Sequence, residues 1–226
     1  MTLTARTVLR LVYIVVASAA LLFLPTWSLH FWQGWIYLVV IVGAWVIFSL
    51  WLLRADPQLM ERRLQTQEIE PAQKLFQKVG AAIFYPAMLL PGFDFRFGWT
   101  RGWLAPVPVW LVLVGQAAAL AGSCIIFWTM AKNSFAGQTI QVEAGQRLIS
   151  DGPYAVVRHP FYAGLMMWVL GTPFALGSYV AVPLFALLVP LIVYRLVNEE
   201  KMLVCELAGY VEYCGRTRFR LVPGVW

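Results

Sequence analysis

The sequence is poor in charge: 12% of its 226 residues are Asp, Glu, Lys or Arg, whereas 61% are hydrophobic. A soluble domain has about 25% charged residues, so this chain has too little polar surface to cover a globule in water. Its mean hydropathy is +0.71. Apolar side chains can face lipid instead, and the composition therefore predicts a membrane protein.

Other features that the sequence lacks narrow the class further. The apolar runs do not alternate in polarity, as strands of a membrane β-barrel would. Backbone groups in lipid have to pair within their own segment, so the runs are predicted to be helices. Cys124, Cys205 and Cys214 form no CxxC pair and no even-numbered framework, which indicates ordinary thiols and predicts no metal site. The first run has no convincing cleavage site before Pro25, so no cleavable signal is predicted.

Six apolar runs predict an all-α transmembrane bundle with five to six membrane helices. They lie at 8–26, 34–53, 79–92, 104–130, 161–176 and 179–197. The third and fifth runs are short and contain Pro86 or Pro173, so tilted, kinked or incomplete crossings are expected there. The whole chain, 1–226, is interpreted as one membrane domain. Residues 1–130 hold the first helices and an inner loop at 54–78 that is interpreted as an amphipathic surface helix, and residues 131–226 are expected to carry the chemistry.

The basic residues predict which side each loop occupies. With the N-terminus inside, 15 of the 17 Lys and Arg residues fall in inner segments, and the outer loops hold only Arg96 and Arg101. This bias places both termini in the cytoplasm. Because the basic residues gather between apolar runs, the net charge of +6 predicts no nucleic-acid partner. Tryptophans at the predicted outer ends would anchor the interface: Trp27, Trp32, Trp35, Trp99 and Trp103.

Candidate functional residues gather where the long inner loop 131–160 enters the fifth run. Gly152-Pro153 predicts a turn, and Pro160 suits the first turn of a helix. Arg158 and His159 then precede a helix start, whose partial positive charge favours an anionic ligand group. The sequence therefore predicts that Arg158 and His159 face the cytoplasm at this edge.

A pair of carboxylates follows about forty residues later. Glu199 and Glu200 are predicted at the C-terminal end of the last run, where they repel each other and oppose the helix dipole. The short connection 177–179 makes the last two helices antiparallel neighbours, so the carboxylates are expected to meet Arg158 and His159. An interfacial ion-pair cluster and a ligand pocket both remain open. Nearby tyrosines would suit a zwitterionic ligand with an aromatic ring: Tyr154, Tyr162, Tyr210 and Tyr213.

Two further patterns have mainly structural interpretations. The fourth run places Gly115, Ala118, Ala119 and Gly122 on one face, which favours close helix packing over a passage for a lipid tail. The stretch 133–135 follows that run and favours helix capping over a role in lining a pocket.

The motifs resemble those of the isoprenylcysteine carboxyl methyltransferase family over about residues 130–226. They are Gly152-x-Tyr154-x-x-x-Arg158-His159-Pro160-x-Tyr162-x-Gly164, then Glu199-Glu200-x-x-Leu203 and Tyr210-x-x-Tyr213. That family is similar to membrane phospholipid N-methyltransferases. The resemblance implies that S-adenosyl-L-methionine binds in a pocket open to the cytoplasm and closed by the last helices and the tail. Its predicted cofactor-binding residues are Tyr154, Arg158, His159, Pro160, Tyr162, Glu199 and Glu200.

The predicted catalytic residues are Arg158 and Glu200. A carboxylate can accept bonds from the ammonium or ribose hydroxyls of S-adenosyl-L-methionine, and Arg or His can hold its carboxylate. The chain offers few bases, which favours an acceptor that is already ionised, such as a carboxylate with a pKa near roughly 4. The resemblance implies a lipophilic or prenylated acceptor, whose tail could enter between the helices from the bilayer. Membrane lipids are the other expected partners, and the expected location is a prokaryotic inner membrane.

Three alternatives remain open from the sequence alone. A methyltransferase of the same fold could act on a phospholipid amine or a thiol. An NADPH-dependent membrane reductase of the sterol-reductase type need not carry the Gly-rich dinucleotide motif that this sequence lacks. A lipid carrier or small permease would spread polar residues through the membrane midplane, whereas here they gather at one edge.

Overall fold

The structure, a computed structural model, describes residues 1–64, 71–135 and 146–226, and these ranges contain helices but no strand. This confirms the all-α prediction. The helices are α1 (Leu3–Phe23), α2 (Trp32–Ala55), α3 (Pro57–Leu64), α4 (Pro71–Phe97), α5 (Trp99–Trp103), α6 (Val109–Lys132), α7 (Pro160–Ala175), α8 (Val182–Glu206) and α9 (Tyr210–Arg216). Helix α2 includes a π-helical stretch, Tyr37–Val42, and α8 is interrupted at Leu187.

Four of these helices are long and apolar enough to cross a membrane. They are α1, α2, α6 and α8, with 21, 24, 24 and 25 residues, and the chain is an integral membrane protein. Helix α7 has 16 residues, which is short for a hydrocarbon core of about 30 Å. Helix α4 has 27 residues but contains Pro86 and Pro91 and bears charged residues towards both ends. The count of five to six membrane helices stays a prediction.

Two predicted boundaries are wrong. The predicted surface helix at 54–78 is divided, because α2 runs to Ala55, α3 begins at Pro57 and residues 71–78 belong to α4; residues 65–70 lie outside the described ranges. The last long helix does not end at Glu199 and Glu200, because α8 continues to Glu206. The two carboxylates therefore lie more than one turn inside the helix, beyond the last turn where the helix dipole acts.

Helices α6 and α7 pack against each other through glycines, in antiparallel orientation. A Cβ at Gly122 would lie 2.5 Å from the carbonyl oxygen of Gly164, and one at Gly115 would lie 2.3 Å from the backbone nitrogen of Ala175. Only residues without a side chain permit backbones to approach so closely. The predicted packing role of the small-residue face is confirmed, and this contact fixes the start of α7 beside the end of α6.

A buried carboxylate fixes the other end of α7. The backbone N–H of Thr100 donates to Oδ1 of Asp94 at 2.7 Å, and the hydroxyls of Thr100 and Ser178 donate to Oδ2, each at 2.5 Å. Ser178 lies in the predicted turn between the last two long helices. Asp94 therefore ties α4 and α5 to the connection that makes α7 and α8 neighbours.

Replacing Asp94 with Ala is expected to lower the free energy of unfolding by about 2–3 kcal/mol, because three buried donors lose a charged acceptor. The measurement is the melting temperature of the purified protein in detergent, followed by tryptophan fluorescence. Asp151→Ala is the control, since its pair with Lys132 lies on the surface, where ion pairs add little stability. Equal melting temperatures for the two variants would contradict a structural role for Asp94.

Candidate functional site

A cavity of about 360 Å³ lies at the edge where α7 begins, beside the end of α6 and the second half of α8. Its size falls in the range of small-molecule sites, roughly 300–1,000 Å³. Its charged, polar and aromatic lining residues are Arg63, Phe76, Gln77, Asn133, Phe135, Gln146, Arg147, Tyr154, Arg158, His159, Phe161, Tyr162, Arg195, Glu199, Tyr210 and Tyr213. The rest of its described wall is apolar: Leu148, Ile149, Pro160, Leu165, Ile192, Met202, Leu203 and Leu207.

Most of the residues predicted to bind a cofactor come together in this cavity. Those that line it are Tyr154, Arg158, His159, Pro160, Tyr162 and Glu199. Glu200 is buried nearby but is absent from the wall formed by the described residues. Consecutive residues of an α-helix point about 100° apart, so Glu199 and Glu200 face different surroundings. Arg158 and His159 thus lie beside both glutamates, as predicted. Only Glu199 lines the cavity, whereas Glu200 is buried behind the wall.

Glu200 joins two arginines. Its Oε1 lies 2.5 Å from Nη1 of Arg158, and Nε of Arg220 donates to its Oε2 at 2.5 Å. Arg158 also donates from Nη1 to Sγ of Cys214 and from Nη2 to the carbonyl oxygen of Arg218, both at 3.2 Å. The side chains of Arg158 and Glu200 are only 11% and 9% exposed. This ion pair is therefore largely withdrawn from water, where removal of one partner is strongly destabilising.

Glu199 is the carboxylate that faces the cavity. The hydroxyl of Tyr162 donates to its Oε2 at 2.5 Å, and Tyr162 itself is buried at the start of α7. A hydrogen bond to an ionised acceptor is about twice as strong as one between neutral groups. Tyr162 therefore holds Glu199 against the wall while leaving the carboxylate in contact with the cavity.

The tyrosines form a neutral, hydrogen-bonded side of the wall. The hydroxyl of Tyr213 donates to the carbonyl oxygen of Tyr154 at 2.7 Å, and Nδ2 of Asn133 donates to the hydroxyl of Tyr154 at 2.8 Å. The Tyr210 hydroxyl lies 3.4 Å from Nε2 of His159. Burial raises the pKa of Tyr213 to about 12 and raises the pKa values of Tyr154 and Tyr210 well above their usual range. All three phenols are consequently protonated at neutral pH.

The capping prediction for 133–135 is incomplete. Asn133 is indeed the residue that ends α6, and its Oδ1 accepts a hydrogen bond from the backbone N–H of Phe135 at 2.9 Å. Both residues also line the cavity. The other interpretation of this stretch, that it lines a pocket, is therefore observed as well.

The wall residues that come from α3, α4 and the middle of α8 were not predicted from the sequence. The guanidinium of Arg63 lies 5.2 Å from the ring centre of Phe161, and that of Arg195 lies 5.0 Å from the ring centre of Phe76. Burial, with neighbouring Arg10 and Arg195, lowers the pKa of Arg63 to about 10, so Arg63 is charged at neutral pH. Among these residues, only Arg195 could have been predicted from the sequence, because it lies one helical turn before Glu199 and therefore on the same side of the helix.

The residue set fits S-adenosyl-L-methionine. Glu199 offers a carboxylate for ammonium or hydroxyl groups, and Arg158 offers a cation for the carboxylate. The tyrosine rings and the apolar side chains of 148–149 and 202–203 offer surfaces for an adenine ring. The described residues contain no cluster of three or more His, Cys, Asp or Glu side chains that could hold a metal ion.

Part of the chain is similar to known methyltransferases. The model of the phospholipid methyltransferase family matches residues 110–207. Protein-S-isoprenylcysteine O-methyltransferase from Schizosaccharomyces pombe is 45% identical over 58 residues, 25% of this chain and 25% of that protein. Protein-S-isoprenylcysteine O-methyltransferase B from Arabidopsis thaliana is 30% identical over 79 residues, 34% of this chain and 40% of that protein. The matches thus span a quarter to two fifths of those relatives' lengths.

The chain is also similar to a reductase and to a solved structure. The Delta(14)-sterol reductase from Mus musculus is 31% identical over 92 residues, 39% of this chain and 22% of that protein. A solved structure of a eukaryotic intramembrane Ras methyltransferase, isoprenylcysteine carboxyl methyltransferase, aligns with 100% of this chain and 86% of its own, with a TM-score of 0.49 and 16% identity.

Proposed function

We propose that this chain belongs to the isoprenylcysteine carboxyl methyltransferase family, as its partial matches support, and that it is a membrane methyltransferase that uses S-adenosyl-L-methionine. Its proposed acceptor is the carboxylate of a lipophilic molecule such as an isoprenylcysteine. The observation that carries the proposal is the cavity that Arg158, His159 and Glu199 line together. These residues come from two of the three motifs that carry the family resemblance, and residues 131–226 are the proposed catalytic region of a single membrane domain.

The cavity residues divide into two proposed binding roles. Glu199, held by Tyr162, would accept hydrogen bonds from the ammonium or ribose hydroxyls of S-adenosyl-L-methionine, while Arg158 and His159 would hold its carboxylate. When bound, S-adenosyl-L-methionine supplies an electrophilic methyl group on a sulfonium that is a good leaving group. The wall then has to align the acceptor with that methyl, and such alignment can supply much of the rate.

A carboxylate acceptor needs no base, which agrees with the few candidate bases in the described wall of the cavity, His159 and Glu199. It is ionised at neutral pH, since its reference pKa is near roughly 4, whereas an amine would first have to lose a proton. Phe76, Phe161, Leu165 and Ile192 supply an apolar side of the cavity. A lipid chain could lie along this side while the acceptor head group reaches the polar residues.

The proposed location is the inner membrane of a prokaryote, with several crossings and both termini in the cytoplasm. The basic residues support this orientation, because 15 of 17 lie in the segments placed inside. The cavity lies at the edge that those segments share. S-adenosyl-L-methionine could then reach it from the cytoplasm, and a lipophilic or prenylated acceptor from the bilayer.

Methyl transfer by the purified protein in lipid nanodiscs tests this function. With methyl-labelled S-adenosyl-L-methionine, we expect label in a prenylcysteine that has a free carboxylate, and none in the matching carboxamide. Mild base should release that label as methanol, because methyl esters hydrolyse and N-methyl or S-methyl groups do not. Base-stable label in a phospholipid amine or a thiol would overturn the carboxylate acceptor but keep the methyltransferase. Absence of transfer to every acceptor would contradict the enzyme class.

The similarity to the Delta(14)-sterol reductase supports one alternative, a membrane reductase that uses NADPH. The two functions differ in what displaces the cofactor. The reductase would be favoured if labelled NADPH binds, if S-adenosylhomocysteine does not compete with it, and if S-adenosylhomocysteine itself does not bind. We expect the opposite result, which is saturable S-adenosylhomocysteine binding that NADPH leaves unchanged.

A further inference from the structure

We infer that Arg220 is a positioning residue, which acts through Glu200 to hold Arg158 and His159 at the cavity wall. The identity of the ligand in this inference rests on the proposed function, whereas the arrangement of the side chains does not. Arg220 is absent from the cavity wall formed by the described residues. An effect of Arg220 on binding would therefore have to pass through its neighbours.

Glu200 is the side chain through which Arg220 reaches the site. Each of its carboxylate oxygens faces one arginine at 2.5 Å, Oε1 facing Arg158 and Oε2 facing Arg220. Oε1 also lies 3.9 Å from Nε2 of His159. A single negative charge is thus shared between two guanidinium groups. Arg158 consequently keeps positive charge that can attract an anionic ligand group in the cavity.

The main chain around Arg220 holds the same two cavity residues from the other side. The backbone N–H of Arg158 donates to the carbonyl oxygen of Phe219 at 2.9 Å, and that of His159 donates to the carbonyl oxygen of Arg220 at 3.0 Å. The stretch 219–220 therefore holds residues 158–159 in two ways: by backbone hydrogen bonds, and through the side chains of Arg220 and Glu200.

Arg220 is itself held in place by Trp226. The guanidinium of Arg220 lies 5.3 Å from the ring centre of Trp226, a geometry in which cation and ring attract each other. The carbonyl oxygen of Trp226 accepts hydrogen bonds from the backbone N–H groups of Arg220 and Leu221 at 2.9 and 3.0 Å. Both the side chain and the main chain of Arg220 are therefore held by contacts that need no ligand.

Without Arg220, the charge of Glu200 would be left to Arg158 alone. Arg158 would then attract a ligand carboxylate less strongly, and Oε2 would lose its charged donor. We therefore expect Arg220→Met to weaken S-adenosylhomocysteine binding about 5- to 20-fold, in line with the coupling seen within one ion-pair network. Arg220→Lys, which keeps the charge but not the Nε donor, should recover some of the loss. Arg216→Gln removes an exposed positive charge from α9 and is the matched control.

A double-mutant cycle tests whether Arg220 acts through Glu200. Calorimetry would give the dissociation constant of S-adenosylhomocysteine for the wild type, Arg220→Met, Glu200→Gln and the double variant in detergent. If Arg220 acts through Glu200, the double variant should bind no more weakly than Glu200→Gln alone. Multiplied losses in the double variant, or wild-type affinity in Arg220→Met, would overturn the inference.

The alkylation rate of Cys214 gives a second measurement that needs no ligand. Nη1 of Arg158 donates to Sγ of Cys214, so loosening Arg158 should expose this thiol. Peptide mapping should show that Cys214 is alkylated several-fold faster in Arg220→Met and in Glu200→Gln than in the wild type. The double variant should show no additional increase, and the alkylation rate of Cys205 should not change. An unchanged Cys214 rate in Arg220→Met would overturn the inference. Faster alkylation without S-adenosylhomocysteine binding in the wild type would keep the positioning role and reject the proposed function.

Discussion

Replacing Glu199 with Gln is expected to weaken S-adenosylhomocysteine binding by about 10- to 100-fold. Glu199 is the glutamate that lines the cavity, and a hydrogen bond to a charged group contributes about 1.5–3 kcal/mol. The amide oxygen of Gln can still accept the hydroxyl of Tyr162, so the fold should be kept while the charge is lost. Titration calorimetry on the purified protein measures the change.

The matched control for this prediction is Glu206→Gln. Glu206 lies on the same helix, is exposed and ends α8, so its loss of charge should leave binding within twofold of the wild type. The melting temperature of Glu199→Gln should also stay close to that of the wild type. Equal affinities for Glu199→Gln and Glu206→Gln would show that Glu199 does not contact the ligand.

Replacing Gly122 with Ala is expected to destabilise the protein by about 3 kcal/mol, the upper end of the usual cost of overpacking. The added Cβ would lie 2.5 Å from the carbonyl oxygen of Gly164 and 2.7 Å from the backbone nitrogen of Trp168. Both are main-chain atoms of α7 and cannot turn aside as a flexible side chain could. Helix α7 would have to move away from α6, and its start carries the cavity residues. Thermal unfolding in detergent measures the loss.

Gly43→Ala is the control for this substitution, because it adds the same methyl group inside a membrane helix. A Cβ at Gly43 would meet nothing within 4 Å, and Ala favours a helix over Gly by up to about 1 kcal/mol. Its melting temperature should therefore equal or exceed that of the wild type. A Gly122→Ala variant as stable as Gly43→Ala would contradict the close contact between α6 and α7.

The sequence predicted the meeting of Arg158 and His159 with the two glutamates for a physical reason. A short connection makes α7 and α8 antiparallel, so residues at the start of one helix lie beside residues near the end of the other. Proline at position 160 located the helix start, and the small residues at 115 and 122 located the packed face. Helix starts, short connections and small-residue faces can all be identified from neighbouring residues in the sequence, without knowledge of the tertiary contacts.

The sequence could not predict which glutamate faces the cavity. That depends on the rotation of α8 about its axis, which is fixed by packing along its whole length and not by the Glu199-Glu200 pair. The return of Arg220 to Glu200 is likewise a contact between residues 20 apart. Arg63 and Phe76 belong to α3 and α4, whose positions beside the site follow from the tertiary fold. The sequences around Arg63 and Phe76 contain no motif that distinguishes them from other inner-loop segments.

Photo-crosslinking of labelled S-adenosyl-L-methionine, followed by peptide mapping, tests the central claim most directly. If the cavity binds this cofactor, label should appear in peptides that contain residues 146–162 or 199–213, and S-adenosylhomocysteine should prevent it while NADPH does not. The Glu199→Gln variant should lose most of the label at concentrations that saturate Glu206→Gln. Saturable labelling confined to peptides outside the cavity, or labelling that NADPH prevents, would contradict the assignment of this cavity as a methyl-donor site.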